Sequence, residues 1–263
     1  MTRVLIVESS SPALAAQRRS ENRSAPQNFA RVFQDSNPEV HITVAEPYVQ
    51  QLSKADLEGV DGVVFTGQGD PWAADDPRAA EIRDACELVF QHSLPTIGVC
   101  FGLQIATVVL GGQIVASPNG IESGIAKQIQ LTDQGRAHEM MQGRAPLFAV
   151  PCGHRDEVSQ MPDGATLLAS NAHSQVQAMS YRAGGLEFWG TQYHPEVAPS
   201  TIAEAFREGT SMFAKAAPAL ADLSAVEHDA DAAARLGCRV EDFAVDQRTL
   251  ELTNWLKSLS STQ

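Results

Sequence analysis

Four short apolar runs, each followed by polar or helix-patterned chain, constrain this sequence more than any other feature. They are "RVLIVES" (3–9), "HITVAEP" (41–47), "GVVF" within "GVDGVVFTGQGDP" (59–71) and "LPTIGVC" (94–100). Each is continuous rather than alternating, so both faces of the strand must be covered, as in a parallel sheet packed between helices. The intervening segments supply the helices. Residues 76–93 place Ala80, Ile82, Cys86 and Val89 about a turn apart, and "GLQIATVVLGG" (102–112) reads as a helix stopped by paired glycines. The first connection is polar and irregular, with a helix predicted only from about Gln27. Alternation of this kind predicts a three-layer α/β fold around a mostly parallel central sheet.

The middle of the chain carries a second kind of signal. "GIAKQIQLT", "LFAVPC", "ATLLASN" and "VQAMSYRAGGLEFWGTQYHPE" read as short antiparallel or mixed strands, with "AGG" able to turn a hairpin. They are predicted as a small elaboration of the sheet. Beyond Pro199 the pattern is helical: an Ala-rich piece (211–237) divided by Pro218 and ended by Gly237, then an amphipathic helix over 246–259. With no internal repeat or linker, the expectation is one domain over 1–263, with a core of about 3–200 and a helical extension of about 201–263.

Charge narrows the function. The 263 residues include 32 Asp and Glu against 19 Lys and Arg, a formal charge of -13. Such an exterior repels phosphates, which argues against nucleic-acid and anionic-membrane partners but leaves room for a local basic pocket. No apolar run is long enough to span a bilayer, and the N-terminal run ends at Glu8, short of a secretory core. Cys86, Cys100, Cys152 and Cys238 contain no CxxC pair, so reduced thiols and a cytoplasmic location are expected. Cys86 falls on the apolar stripe of its helix, a packing role.

Cys100 is different. In Gly98-Val99-Cys100-Phe101-Gly102 a strand runs directly into a helix, and glycines two positions either side let the backbone approach itself. A helix N-terminus also favours thiolate over thiol. Taken alone, the pattern leaves nucleophile and structural thiol both open. "GTQYHPEV" (190–197) supplies the missing partners. His194 and Glu196, two apart in extended chain, can address one site, with Glu196 fixing the tautomer and His194 moving the proton of Cys100. Metal binding is the other use of His-x-Glu. His154, Asp156 and His173 could be drawn into such a site, but show no compact ligand spacing and leave Cys100 unexplained, so no metal is expected. "VVFTGQGDP" leaves a strand through Gly67 and Gly69. The amides around Gly67 and Gln68, with that of Phe101, are the candidate oxyanion donors; a phosphate cradle is disfavoured because the loop lacks a P-loop ending.

Assembled in order, "FTGQGDP", "GVCFGLQ" and "QYHPE" resemble the signature segments of the class I, triad-type glutamine amidotransferases. The resemblance extends over about residues 3–200, through "LGGQIVASPNGIESG", "HRDEV" and "LLASNAHSQVQAM". It implies a flavodoxin-like sheet and a cysteine that cleaves a γ-glutamyl amide through a thioester, with Cys100, His194 and Glu196 as the triad. Gln104 then corresponds to a family glutamine that helps hold substrate, and Leu103 replaces a commonly polar or bulky residue beside it. His154 and Asp156 either position the α-amino or α-carboxylate end of the substrate or pair structurally, with Arg155 facing elsewhere. Asn171 to Gln175, Ser174 included, either contact the group attached to the glutamyl unit or form an exposed turn.

No nucleotide-binding loops follow residue 200, so the resemblance is to the stand-alone, GMP synthase-like branch. The expected function is hydrolysis of a γ-glutamyl amide to glutamate and an amine or ammonia, with no cofactor. Its partner is a small γ-glutamyl substrate, and a homo-oligomer is left open. Two alternatives stand beside it: a glutaminase subunit feeding ammonia to a separate ATP-dependent synthetase, and a non-catalytic metabolite-binding or regulatory homologue.

Overall fold

The computed structural model describes residues 1–207 and 219–260. The predicted runs become β1 (Arg3–Val7), β2 (His41–Ala45), β3 (Gly62–Phe65) and β4 (Thr96–Val99). The first connection is more ordered than its composition suggests, forming α1 (Pro12–Ser20) and α2 (Ala25–Ser36). Both carry a proline in the first turn, where a missing N–H costs nothing. The side chain of Gln27 accepts the Ser24 N–H and closes the start of α2. The helix predicted from Gln27 thus begins at Ala25, and α1 lies entirely in chain read as irregular. The other helices flanking these strands are α3 (Ala80–Gln91) and α4 (Phe101–Val109).

β5 (Gln113–Ala116), β6 (Glu122–Leu131), α5 (Asp133–Ala137), β7 (Leu147–His154), β8 (Asp156–Gln160), β9 (Thr166–Ser170), β10 (Ala178–Ala183) and β11 (Leu186–Thr191) follow. Only β5 and β8 form a separate two-stranded piece. The rest join one nine-stranded sheet in the order β2-β1-β3-β4-β11-β10-β9-β6-β7. The half from β2 to β11 is parallel, and every pair from β11 to β7 is antiparallel. The middle strands therefore widen the main sheet instead of decorating it. The hairpin between β10 and β11 turns at Gly184 and Gly185, both at positive φ, as its two-residue connection requires.

Alternate strand residues face opposite layers. Val4, Ile6, Val64, Ile97 and Val99 pack with Phe29 and Phe33 of α2 and with Trp255, while Leu5, Val7, Val63 and Phe65 pack with Ile82, Cys86 and Val89 of α3 and Leu103 of α4. This division explains why β1, β3 and β4 carry no polar face, whereas β2, at the edge of the sheet, has no buried residue and is not covered on both faces as its apolar run predicts. Cys86 is fully buried, and burial pushes its thiol well above the ordinary range.

The chain ends in helices α6 (Pro199–Arg207), α7 (Leu220–Ala225), α8 (Ala230–Leu236), α9 (Val245–Arg248) and α10 (Leu250–Ser260). The part of the Ala-rich piece that includes Pro218 lies outside the described residues. Gly237 ends α8 as predicted, and does so in the left-handed conformation. Phe206, Leu223, Val226 and Leu236 pack on Ile125 and Ala149 of the sheet. Trp255 of α10 stacks beside Phe33, with ring centroids 5.8 Å apart. Among the described residues, no helix is long and apolar enough to cross a membrane.

Candidate active site

β3, β4 and β11 are neighbours in the parallel half, so their carboxyl ends open onto one edge, where sheets of this kind bind ligands. Each delivers one part of the site: β3 the Gly67 loop, β4 Cys100, and β11 the segment of His194. The turn at Cys100 is tight. Its φ of 53° and ψ of -104° lie outside the usual wells, while its N–H bonds the Thr191 carbonyl at 2.7 Å. Side chains cannot replace the flanking glycines. A Cβ on Gly98 would lie 2.6 Å from the Gly102 carbonyl carbon, and one on Gly102 would lie 2.2 Å from the Phe65 oxygen. Phe101 opens α4, so its N–H has no intrahelical acceptor.

His194 is oriented by Glu196, whose Oε1 lies 2.7 Å from Nδ1 and so turns Nε2 away from the carboxylate. The Cys100 thiol donates to the Gly153 carbonyl at 3.7 Å. Burial pulls the imidazole down, but the Glu196 carboxylate and the Cys100 sulfur outweigh it and hold the ring well above its ordinary value. A ring raised in this way accepts a proton readily and can return it later. Gly67 faces the pair from the β3 side, where a Cβ would lie 2.7 Å from Cε1 of His194 and 3.4 Å from Cβ of Cys100. Gln68 turns its side-chain amide back to the Trp72 carbonyl at 3.0 Å, which fixes the loop.

The segment around His194 is fastened from behind by the end of the chain. The Tyr193 hydroxyl donates to Glu251 at 2.8 Å, and Arg144 pairs with the same carboxylate at 2.6 Å, with both charged side chains at most 1% exposed. Arg248 donates to the Pro195 carbonyl at 2.7 Å. Nothing in the sequence pattern links residues 144, 248 and 251 to the site. Their pairing spans more than fifty positions and exists only in the fold.

Two openings meet at the site, one reaching Cys100 and the other reaching His194. The smaller is lined by Trp72, Phe101, Gln104, Arg155 and Asp156, the larger by Gly67, Gly69, Gly153 and His194 among others. Gln104 is buried, and its amide donates to the Asp156 carbonyl at 2.8 Å and to Gln192 at 3.2 Å. Arg155 was expected to face away. It instead folds back to grip the Asp156 carboxylate through two nitrogens, at 2.8 and 2.5 Å, and reaches the Pro71 carbonyl. Strand alternation fails there because Arg155 lies between β7 and β8 and is free to turn.

The remaining candidates gather around Glu122, which the sequence did not single out. His154 lies 2.8 Å from Glu122 through Nε2 and 3.1 Å from the Asp156 carbonyl through Nδ1. Asn171 and Gln177 also donate to Glu122, at 2.7 and 2.8 Å. The Ser174 hydroxyl donates to Glu157 at 2.6 Å. Neither Asn171 nor Ser174 lines these two openings. Glu122, His154 and His173 bring ligating atoms within 4.8 Å of one another, a grouping with Glu122 in the place considered for Asp156. However, both Glu122 oxygens already accept N–H donors. The Asn171 orientation is set by its own oxygen, which accepts the N–H groups of His173 and Ser174. His173 Nε2 and Gln177 Oε1 are buried without a partner, but a cation on Glu122 would have to displace the donors its oxygens already hold.

Comparison with known proteins agrees with this geometry. Residues 21–209 match the family described as glutamine amidotransferase class-I. A γ-glutamyl-L-1-hydroxyisopropylamide hydrolase from Pseudomonas sp is 28% identical, over 98% of this chain and 92% of the relative. A GMP synthase [glutamine-hydrolyzing] from Shewanella frigidimarina is 32% identical over 52% of this chain, but only 25% of that enzyme's length. The crystal structure of a glutamine amidotransferase from Thermotoga maritima shares the fold, with a TM-score of 0.67 at 18% identity over 98% of this chain and 97% of the other.

Proposed function

The chain belongs to the class I glutamine amidotransferase family, and on that premise we propose that Cys100 hydrolyses γ-glutamyl amides with His194 and Glu196. The observation that carries the proposal is the position of His194, with Nδ1 on Glu196 at 2.7 Å and the ring meeting Cys100 at the Gly67 turn, where a Cβ would lie 2.7 Å from the imidazole and 3.4 Å from Cβ of Cys100. His194 takes the thiol proton, and the thiolate adds to the γ-carbonyl carbon. The oxyanion forms beside the Phe101 amide and the Gly67–Gln68 turn. The C–N bond then breaks as His194 gives its proton to the leaving nitrogen. A γ-glutamyl thioester remains, which water hydrolyses to glutamate and free thiol. Every proton needed passes through the imidazole, so the chemistry requires no metal or cofactor.

The Pseudomonas relative, whose name is that of a γ-glutamyl amide hydrolase, matches over nearly the whole length of both chains. That favours an amine conjugate over free glutamine. The likeness to the GMP synthase favours a second reading, a glutaminase that passes ammonia to a separate synthetase. The experiment is glutamate release by the purified chain from glutamine and from a panel of γ-glutamyl amines, with Cys100→Ala as control. Cys100-dependent turnover of a conjugate at higher kcat/KM than glutamine supports the first reading. Glutamine turnover that appears only with an ATP-dependent partner replaces it by the second.

A further inference from the structure

We infer that the opening on the His194 side of Cys100 receives the leaving group, and that Arg18 there selects an amine bearing a carboxylate. The substrate class is thus a γ-glutamyl amino acid, an inference that rests on the hydrolase reading above.

The direction follows from the chemistry. His194 must protonate the leaving nitrogen, so whatever that nitrogen carries extends to the His194 side. The opening there is about 190 Å³, against about 30 Å³ for the one beside Gln104. Ammonia is about the size of a water, whose share of liquid volume is roughly 30 Å³, and needs no such space. Leu14, Ile202 and Phe206 give the larger opening an apolar wall.

Arg18 is the charged group that this wall surrounds. Its guanidinium lies directly over Gly69, where a Cβ would come 2.3 Å from Nη2. Gly67 faces His194 and Gly69 faces Arg18, two residues on, a span of at most about 7 Å along the loop. The nearby acids are engaged elsewhere. Asp70 accepts the N–H and hydroxyl of Ser11, both at 2.7 Å, and Glu8 accepts the Ser10 N–H at 3.0 Å. Burial pulls the guanidinium below its ordinary value, and Glu8 and Asp70 support it only through space. Arg23, on the same wall, is already paired with Glu21 at 2.6 Å. Arg18 therefore has a fork of donors half-sunk in the wall of the opening that His194 also lines, with no hydrogen-bonded acceptor among the described residues. A carboxylate fits that fork in two-point geometry. In a γ-glutamyl α-amino acid the carboxylate stands one carbon from the leaving nitrogen, and an apolar side chain would lie on Leu14, Ile202 and Phe206.

The test compares γ-glutamyl-valine with γ-glutamyl-isobutylamide, which lacks only the valine carboxylate, on wild type, Arg18→Met and Arg18→Lys. Wild type should favour the valine conjugate by about ten- to a hundredfold in kcat/KM, largely through KM. Arg18→Met should bring that ratio close to one, and Arg18→Lys should restore part of it. If Arg18→Met does not fold, the wild-type and Arg18→Lys ratios decide. Equal or better turnover of the isobutylamide by wild type overturns the inference and leaves the hydrolase reading intact. An equal loss on both substrates in Arg18→Met also overturns it, because Arg18 would then hold the glutamyl end. If wild type cleaves neither conjugate, the inference falls with the conjugate-hydrolase reading, and turnover of glutamine alone would leave only the glutaminase reading.

Discussion

Gly67 sits so close to His194 that a single added carbon would lie 2.7 Å from the imidazole Cε1. Real Cβ atoms do not approach that closely, so either the ring or the loop must shift. Gly67→Ala should therefore lower kcat/KM by about a hundredfold, because a displacement of about 1 Å can cost that much. The melting temperature should move little, since the loop lies at the rim of the sheet. A variant with wild-type kcat/KM would show that the ring does not work in this position.

The two buried thiols nearest in sequence should behave in opposite ways. Cys100 lies beside an imidazole whose charged form is favoured, whereas burial, with Glu87 adding to it, pushes Cys86 well above the ordinary thiol range. Limited iodoacetamide should label Cys100 and abolish turnover, with Cys86 left unmodified by peptide mass mapping. Cys86→Ala should cost about 1–2 kcal/mol of stability and keep its activity. Loss of turnover in a folded Cys86→Ala protein would contradict this division.

The raised His194 pKa fixes the sign of a pH effect. The stabilisation from its charged pairing is complete below about pH 6.5 and is lost as pH rises through the folded value, which lies well above that. The same deprotonation removes the acid that the leaving nitrogen needs. The alkaline limb of kcat/KM should therefore lie above pH 6.5 in wild type. Glu196→Gln removes the carboxylate that lifts the ring, so this limb should move to lower pH along with a loss of rate. An unmoved limb in that variant would assign it to another group.

Glu251 reaches the site only through Tyr193. Replacing it with Ala leaves Arg144 charged and buried without its partner, which should cost about 3–5 kcal/mol in urea unfolding. Tyr193→Phe removes one hydrogen bond and should cost about 1 kcal/mol. If Glu251→Ala were as mild as Tyr193→Phe, water would have to reach Arg144.

What the sequence disclosed and what it hid divide by range. The turn at Cys100 was legible because its glycines lie within five residues, and the His194–Glu196 pair because alternation places both on one side. Strands β1, β3 and β4 were legible because a strand covered on both faces has no room for a polar stripe. Glu122 was not, since its partners His154, Asn171 and Gln177 come from β7 and from the connection between β9 and β10, and no local pattern joins them. Nor was α1, whose few buried residues leave almost no periodic signal, and with it Arg18 went unremarked. The middle strands were recognised as strands, but their place in the main sheet depends on β11 pairing with β4, a contact about ninety residues apart.

That contact also sets the order in which the site can come into being. β11 lies in the centre of the sheet but is the last strand made, and it carries the loop that presents His194. While the chain is being synthesised, Cys100 emerges some ninety residues before its base. Until β11 slots between β4 and β10, the growing polypeptide holds Cys100 without His194 beside it. On the proposed mechanism, reactivity and completion of the sheet therefore arrive in one event, and a half-made chain is chemically quiet.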